Sequence, residues 1–531
     1  MNNIFSKIKT ISFLTIVFTF ASCDDICNEI YGSYLDKLPD DRTELNSVEN
    51  IKKALVFAYP ENTTTYLTEF SSDNVMDNGK SYYHEADQDK IYHFMPVTET
   101  DNDDPKSIWD GHYRCVATVN EILAAIDKLG LNEETKPLKA EALLCRAYAI
   151  FSLTNCFCIA YNDTTANQYL GIPYTKEIEK IMEKRGTLAE TYANIDADIE
   201  EALTLLDDSY LKVPAYHFNK RAAYAFAARF NLYYQKWEKA KKYAEVALGD
   251  DPTAIMRTNV STYAEMEYNE VKNAYIASGD PCNFLIVSKY SAMGRAKTSF
   301  TRYAHNRELC ETETLWADAP WDSRGNATLY ESELTYGNTQ SIYTPNVSEF
   351  FETTDQMNKT GYAHIMDVPF TADETNLVHA EACIALCDTI TALRDLNYYV
   401  QVHCSSNAPE LTFKSLKAFW KGTATYSFNV AKRNVTRSPK KIFHAPFKLS
   451  DKEYTRGTQE DLIYTLLQLR RIETLWKGMR FQDIKRYGIE FVHNLDGEAP
   501  IVFKTGDLRG AIQLPQEVIH AKVCPLEANP R

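Results

Sequence analysis

The chain opens on a short apolar run. Ile11 to Phe20 is interrupted only by Ser12, Thr15 and Thr19, follows Lys7 and Lys9, and stops at Ala21-Ser22-Cys23. A basic start, a short apolar stretch and small residues before a cut site describe a secretory signal. A membrane span takes about 20 apolar residues, and no stretch of this chain reaches that length. Asp24, Asp25, Asn28 and Glu29 follow as an acidic tether. Leu45, Val48, Ile51, Leu55 and Ala58 then repeat at helical spacing, predicting a helix over 43–59 that Pro60 stops. Residues 61–105 lose the period. They are polar and rich in Tyr, Asp and Asn, which predicts loops with short strands, such as one over 90–95.

From Ile108 the helical period returns and holds to Leu248. Helices are predicted over 108–129 and 136–157, the second with Pro137 in its first turn. Thr187 with Glu190 forms a capping box that opens a third, running to Leu206. Asn219 caps the next helix. A turn at Gln235-Lys236 leads to Trp237, Ala240, Ala244 and Leu248, and Gly249 ends the pattern. Small residues at Ala222, Ala223, Ala227 and Ala228 let a second helix approach closely. The pair looks like a tetratricopeptide hairpin of about 34 residues, a unit that stacks on its neighbours. Residues 250–370 again lack a long period, apart from a strand-like stretch from Asn283 to Tyr290. Helical pattern resumes over 374–396 and 461–477, and 511–517 reads as extended. No Gly/Ser-rich linker separates these parts. The prediction is one intertwined, mainly α body over 39–531, with helical repeats at 108–248, 374–400 and 461–486 and irregular parts at 61–105 and 250–370.

Charge narrows the function. The chain has 57 basic and 73 acidic residues and a net charge of −16, which argues against nucleic acid. Twelve cysteines in an exported protein raise the question of disulfides. Their spacing is scattered and several lie in helical patterns. Only Cys156-x-Cys158 and Cys383-x3-Cys387 are close pairs, and neither has a second pair at zinc spacing. The cysteines are therefore read as buried thiols acting as small apolar residues, and no metal or cofactor is expected.

Enzyme signatures are missing. There is no His-Glu-x2-His helix, no Gly-x-Ser-x-Gly elbow and no phosphate-cradling glycine loop. No catalytic residue is assigned. His84 and His93 read as solvated loop residues, and Asp101-Asn102-Asp103-Asp104 as a solvated turn without the glycine and terminal glutamate of a calcium loop. Arg471, Glu473, Arg480 and Asp483 read as a structural ion-pair network. Capture of a ligand fits the 34 tyrosines better. The candidates are aromatic residues that helices do not claim, Tyr82, Tyr83, Tyr303, Trp316 and Trp321. Asp73, Asn74, Asn78 and Arg302 are their polar partners.

Phe20-Ala21-Ser22-Cys23 resembles the lipobox of bacterial lipoproteins, in which cleavage precedes a cysteine that is then acylated. That implies a signal peptide over 1–22 and a lipidated tether over 23–38. Several further segments, in order, resemble the SusD/RagB family of outer-membrane nutrient-binding lipoproteins. They are Ile108-Trp109 through Val119-Asn120-Glu121, Glu141-Ala142 with Arg146-Ala147-Tyr148, and Tyr192 to Ala202 followed by the Ala-rich hairpin. Further on come Val368-Pro369-Phe370-Thr371 with His379-Ala380-Glu381-Ala382, then Arg470 to Glu473 with Gly478-Met479-Arg480-Phe481, and Leu514-Pro515 with Asn529-Pro530-Arg531. Cys145 and Trp476-Lys477 depart from the usual pattern.

The resemblance implies a SusD-like fold, with tetratricopeptide-like hairpins packed against a loop-rich part with short strands. It implies a SusC-like TonB-dependent transporter as partner, an oligosaccharide or oligopeptide as ligand, and attachment at Cys23 to the outer membrane, facing the exterior. A lipid-anchored scaffold that binds only proteins and a surface glycoside hydrolase are the alternatives.

Overall fold

Ser47 accepts a hydrogen bond from the Asn50 N–H and caps the first helix, α1 (Val48–Leu55), which buries Ile51, Ala54 and Leu55. The computed structural model describes residues 44–99, 101–178, 184–258, 260–298, 301–322, 334–404, 408–522 and 524–531. The leader, Cys23 and the tether lie outside the described residues. α1 is shorter than the stretch its apolar spacing predicts, because helix geometry starts only after the Ser47 cap.

The segment expected to be loops with strands holds two helices, α2 (Thr65–Phe70) and α3 (Ala86–Tyr92), besides the two-residue strand β1 (Met76–Asp77). The strand expected over 90–95 is thus a correction. Ile91 and Tyr92 alternate with nothing. They end a helix whose other buried residues, Asp87 and Gln88, are polar, so no apolar period marks it.

The long helices form where the pattern predicts them. α4 (Pro105–Leu129) carries proline at its start, and α5 (Lys136–Phe157) is buried on nearly every side. Two polar residues of α5 tie the stack together. Arg146 donates to Asp198 on α6 (Leu188–Leu203) at 2.7 and 2.9 Å and to Asn120 on α4 at 2.7 Å. Glu141 accepts from Tyr59 at 2.7 Å. Thr187 and Glu190 make the capping box at the start of α6. Asn219 caps α7 (Lys220–Tyr233) through the Ala222 N–H. Gln235, at φ +62°, reverses the chain into α8 (Trp237–Leu248). Ala222, Ala223, Ala227 and Ala228 are fully buried, as close helix approach requires.

The helix expected over 374–396 is two. α9 (Ala372–Ala385) ends, Cys387 takes a left-handed conformation at φ +61°, and Asp388 caps α10 (Thr389–His403). Packing proceeds in series: α4 on α5, α5 on α6, α7 on α8, α8 on α9, α9 on α10. α11 (Phe413–Gly422) and α12 (Glu453–Glu473) pack on each other, and α12 also meets α9 and α10. α13 (Arg480–Tyr487) follows, and the tail expected to be extended ends in a helical turn, Gln516–Ile519. The fold is mainly helical, with repeat-like hairpins and few strands.

β2 (Asn283–Tyr290) is the strand its sequence predicts. It pairs antiparallel with the long strand β5 (Thr360–Thr371), which pairs on its other edge with β4 (Glu349–Asp355). A short strand, β3 (Tyr303–Ala304), pairs with β1. One hydrophobic core runs from Ile51 to Leu526. All ten described cysteines are free. Cys387 is exposed, Cys524 half-buried, and the rest pack inside. Among the described residues no helix is long and apolar enough to cross a membrane.

Candidate functional site

The two irregular segments meet at β1 and β3, whose paired residues lie more than two hundred positions apart. Met76 faces Ala304 and Asp77 faces Tyr303 across the ladder. Arg302 donates from Nε and Nη2 to both Asp77 oxygens at 2.8 and 2.7 Å. Burial alone would raise the Asp77 pKa, and the hydrogen bonds from Arg302 and from the Asp496 and Gly79 N–H groups together outweigh it and lower it. Asn78 donates to the Thr301 and Gln340 carbonyls at 3.1 and 2.8 Å and accepts from Asn306. The Arg302 N–H donates to the Tyr83 carbonyl at 2.8 Å. Asn78, Tyr82, Tyr83, Arg302 and Tyr303 are therefore neighbours.

Their exposure differs. Tyr83 is 66 % exposed and Tyr82 is half-buried. Tyr303 is fully buried. It stacks on Tyr92 at 4.5 Å between ring centres, and Tyr92 stacks on His493 at 3.9 Å. Asp73 and Asn74 lie under this surface with their polar atoms engaged. Arg480 donates to both Asp73 oxygens at 2.7 and 2.8 Å, and Asn74 bridges Glu69 and Arg471 at 2.8 Å each. Trp321 belongs to the core, whereas Trp316 is 37 % exposed. His84 and His93 both flank Asp89, at 3.8 and 3.6 Å.

Beside Tyr83 opens a cavity of about 550 Å³. Its walls come from α3 and from residues on either side of it in the fold, and include Glu85, Asp87, Gln88, Glu99, Asp101, Asn102, Asp103, Arg295 and Thr301. Asp103 accepts from the Ser291 hydroxyl at 2.5 Å and the Ala292 N–H at 2.7 Å. Burial pushes its carboxyl up to about 7 in spite of those bonds. Burial also raises Asp87 and brings Asp104 to about 7. Asp104 Oδ2 accepts from the Asp101 N–H at 2.7 Å, while its Oδ1 is buried without a hydrogen bond. The 101–104 run is thus not the solvated turn its composition suggests, because Asp103 and Asp104 turn inward to start α4 and to hold the 291–292 backbone. Asp87 carries no signal in the sequence, and Asp103 figures there only within the 101–104 run read as a solvated turn. The one signal available was the placement of an Asp pair directly before Pro105, where a helix begins.

The cavity combines carboxylates, amides and one guanidinium with a tyrosine ring at its rim. That set accepts and donates hydrogen bonds to hydroxyl-rich ligands while the ring packs on an apolar sugar face. Its volume lies within the range of small-molecule sites. A second cavity, against α5 and β5, holds only about 90 Å³ and is too small for a sugar ring.

Two buried charge networks lie behind the site. Glu313 meets Lys441 at 2.6 Å, Arg437 at 2.8 Å and Arg471 at 2.9 Å, and Arg471 also reaches Asp73 at 3.4 Å. Burial would raise Glu313, but Lys441, Arg471 and Arg437 hold it at about 2. Asp73 is likewise held well below its usual range, against its burial, by Arg471 and Arg480. In the second network Asp483 pairs with Arg470 at 3.0 Å and Arg486 at 2.8 Å. Glu473 stands apart, pairing with Lys477 at 2.9 Å. Glu69 accepts from the N–H groups of Trp476 and Gly478 at 2.9 Å each, with Gly478 at φ +72°. A Cβ on Gly478 would stand 2.3 Å from the Thr68 hydroxyl, so glycine is required there.

Residues 33–232 match a SusD-like family described as starch-binding, associating with the outer membrane. No curated protein is similar enough to match. Among solved structures, the fold resembles that of a protein from Bacteroides vulgatus described as a putative sugar binding protein. The two are 18 % identical with a TM-score of 0.62, over 92 % of this chain and 99 % of that one. A SusD superfamily protein from Bacteroides thetaiotaomicron is 16 % identical with a TM-score of 0.60, over 91 % and 100 %. One from Bacteroides fragilis is 16 % identical with the same score, over 90 % and 97 %. At these identities the likeness establishes a shared fold.

Proposed function

We propose that this chain is a SusD/RagB family protein, from the family match over residues 33–232 and its SusD-like fold, and that it binds an oligosaccharide at the outer-membrane surface. It delivers the ligand to a SusC-like TonB-dependent transporter and performs no chemistry on it. The observation that carries this reading is the polar cavity of about 550 Å³ with exposed Tyr83 at its rim. A carbohydrate is favoured over a peptide because the walls set carboxylates and amides beside an apolar share of similar size, which suits the hydroxyl edge and apolar face of a sugar. Hydroxyl donors suit such walls, and a wholly apolar side chain does not. Support also comes from the family description and from the sugar-binding description of the similar structure. Lipid on Cys23 would tether the protein beside its transporter and raise their effective concentration for each other.

Isothermal titration of the mature protein against neutral and cationic glycans and oligopeptides tests the reading. A glycan should bind, and Tyr83→Ala should weaken it about tenfold, since an aromatic contact of this kind contributes about 1–1.5 kcal/mol. Tyr83→Phe should retain most of the affinity. Glycan binding that Tyr83→Ala leaves unchanged would place the site elsewhere. Peptide binding without glycan binding would replace the ligand class, and release of reducing ends would make the protein a hydrolase.

A further inference from the structure

A cluster of metal-ligating side chains, sharing no residue with the walls of the ligand cavity, sits where three repeat helices meet. His379 and Cys383 lie four residues apart on α9 and so share one face. His379 Nε2 stands 3.9 Å from the Cys383 sulfur and 3.4 Å from Oε1 of Glu245 on α8. On its other edge, His379 Nδ1 is 2.6 Å from Asp395 Oδ2 on α10. Arg394 holds the second Asp395 oxygen at 2.9 Å. His379, Cys383 and Asp395 are buried, and one ligand atom from each lies within 4.8 Å of the others.

These distances have a recognisable scale. Zinc binds imidazole nitrogen, carboxylate oxygen and thiolate at about 2.0–2.3 Å. At tetrahedral angles that sets nitrogen and oxygen roughly 3.4 Å apart, and nitrogen and sulfur roughly 3.6 Å apart. The Glu245 contact matches, the Cys383 contact needs about 0.3 Å of side-chain adjustment, and the half-exposed Glu245 side chain has to turn toward the Cys383 sulfur to close the set. Asp395 occupies the outer position: a carboxylate on the far nitrogen fixes the ring tautomer of a metal-bound histidine. The Glu245 side chain is 54 % exposed, which gives the ion a path from solvent and leaves room for a water ligand.

We propose that His379 Nε2, the Cys383 thiolate and the Glu245 carboxylate form a zinc site that staples α8 to α9, with Asp395 orienting His379 and water as the fourth ligand. The proton balance follows from the ligands. Without metal, Nδ1 stands 2.6 Å from Asp395 and Nε2 3.4 Å from Glu245, so each ring nitrogen faces a carboxylate and carries a proton. Zinc replaces the Nε2 proton and the thiol proton, and two protons leave to solvent while Nδ1–H stays on Asp395. The other charged groups facing the cluster are Lys241 on α8, paired with Asp388 at 2.7 Å, and Arg394. The site gives the ligand-binding surface no role, so it stands or falls independently of the carbohydrate reading.

Metal-stripped mature protein is titrated with Zn²⁺ against a chromophoric chelator, and with Co²⁺ followed by absorption. One equivalent should bind, and Co²⁺ should show a near-ultraviolet sulfur-to-metal charge-transfer band. Cys383→Ser should abolish the band. Glu245→Gln, at a half-exposed position, should weaken metal binding at least about tenfold with the fold intact. Cys387→Ser should change neither. Absence of stoichiometric binding, or a band that survives Cys383→Ser, would overturn the proposal and leave His379 as a buried imidazolium bridging Asp395 and Glu245. If Cys383→Ser fails to fold, Glu245→Gln decides: unchanged affinity there overturns the site as well.

Discussion

Glu313→Gln removes one negative charge from a network that three cations share. Glu313 is 1 % exposed and receives Lys441, Arg437 and Arg471 within 2.9 Å. The substitution keeps the shape but turns one accepting oxygen into an amide donor that faces a cationic donor, so the loss joins a missing charge to at least one broken hydrogen bond. Its size follows by two routes. A carboxyl held at about 2 rather than the ordinary 4.5 corresponds to about 3 kcal/mol of folding free energy near neutral pH. Breaking a buried ion pair by removing one partner costs about 3–5 kcal/mol. The lower end is expected, because Lys441 has an escape. Burial already depresses its amine to about 8 against the pull of Glu313 and Asp73, so without Glu313 it sheds its proton rather than stay charged.

The pH sign is fixed by the depressed pKa. Glu313 stabilises fully above about 4.5, and its contribution disappears as pH falls toward about 2. Equilibrium urea unfolding, followed by tryptophan fluorescence, should show a loss of about 3 kcal/mol near pH 7 that shrinks in acid. Adding Lys441→Met should recover part of it, since an apolar side chain of similar length removes the stranded amine. A loss below about 1 kcal/mol, or one that does not shrink in acid, would refute the view that this network anchors the 313–322 loop to α12.

Two further outcomes follow from other parts of the molecule. Asp104 titrates near 7 in the folded chain, well above an ordinary carboxyl, so the folded state holds its proton more tightly and stability falls as pH rises from about 4 through about 7. Asp104→Asn should therefore raise the melting temperature at about pH 8, by an equivalent of about 2 kcal/mol, and do little at about pH 4.5. An equal gain at both would show that Asp104 is not the titrating group. Cys23→Ala should leave fold and ligand affinity unchanged but move the protein from the membrane fraction to the soluble one. Retention in the membrane fraction of cells lacking the transporter would rule out lipid at that residue.

Local interactions explain what was legible along the chain. The capping box at Thr187, the Asn219 cap and the turn before Trp237 each depend on residues within a few positions, and each helix end falls where they place it. β2 was visible for the same reason. The helix break at Cys387 was not, because it rests on a left-handed backbone at a residue type that gives no sign of it. α3 was hidden because its buried face is largely polar and finds its partners far away in sequence. Tyr66 is one: it hydrogen-bonds the Asp87 carboxyl from α2.

The candidate surface divides along the same line. Sequence alone identified two irregular segments with Tyr83, Asn78 and Arg302 among their ligand-type residues. It had no means to distinguish Tyr83, which meets solvent, from Tyr303, which stacks in the core. Both are tyrosines in aperiodic sequence, and exposure is a property of what packs against them. The pairing of β1 with β3 and the inward turn of Asp103 were decided only when the chain closed. Helices and caps answer to neighbours three or four residues away, so the sequence determines them. A cavity wall, a buried carboxyl or a histidine shared by three helices answers to residues a hundred or more positions distant, and only tertiary structure brings those within reach.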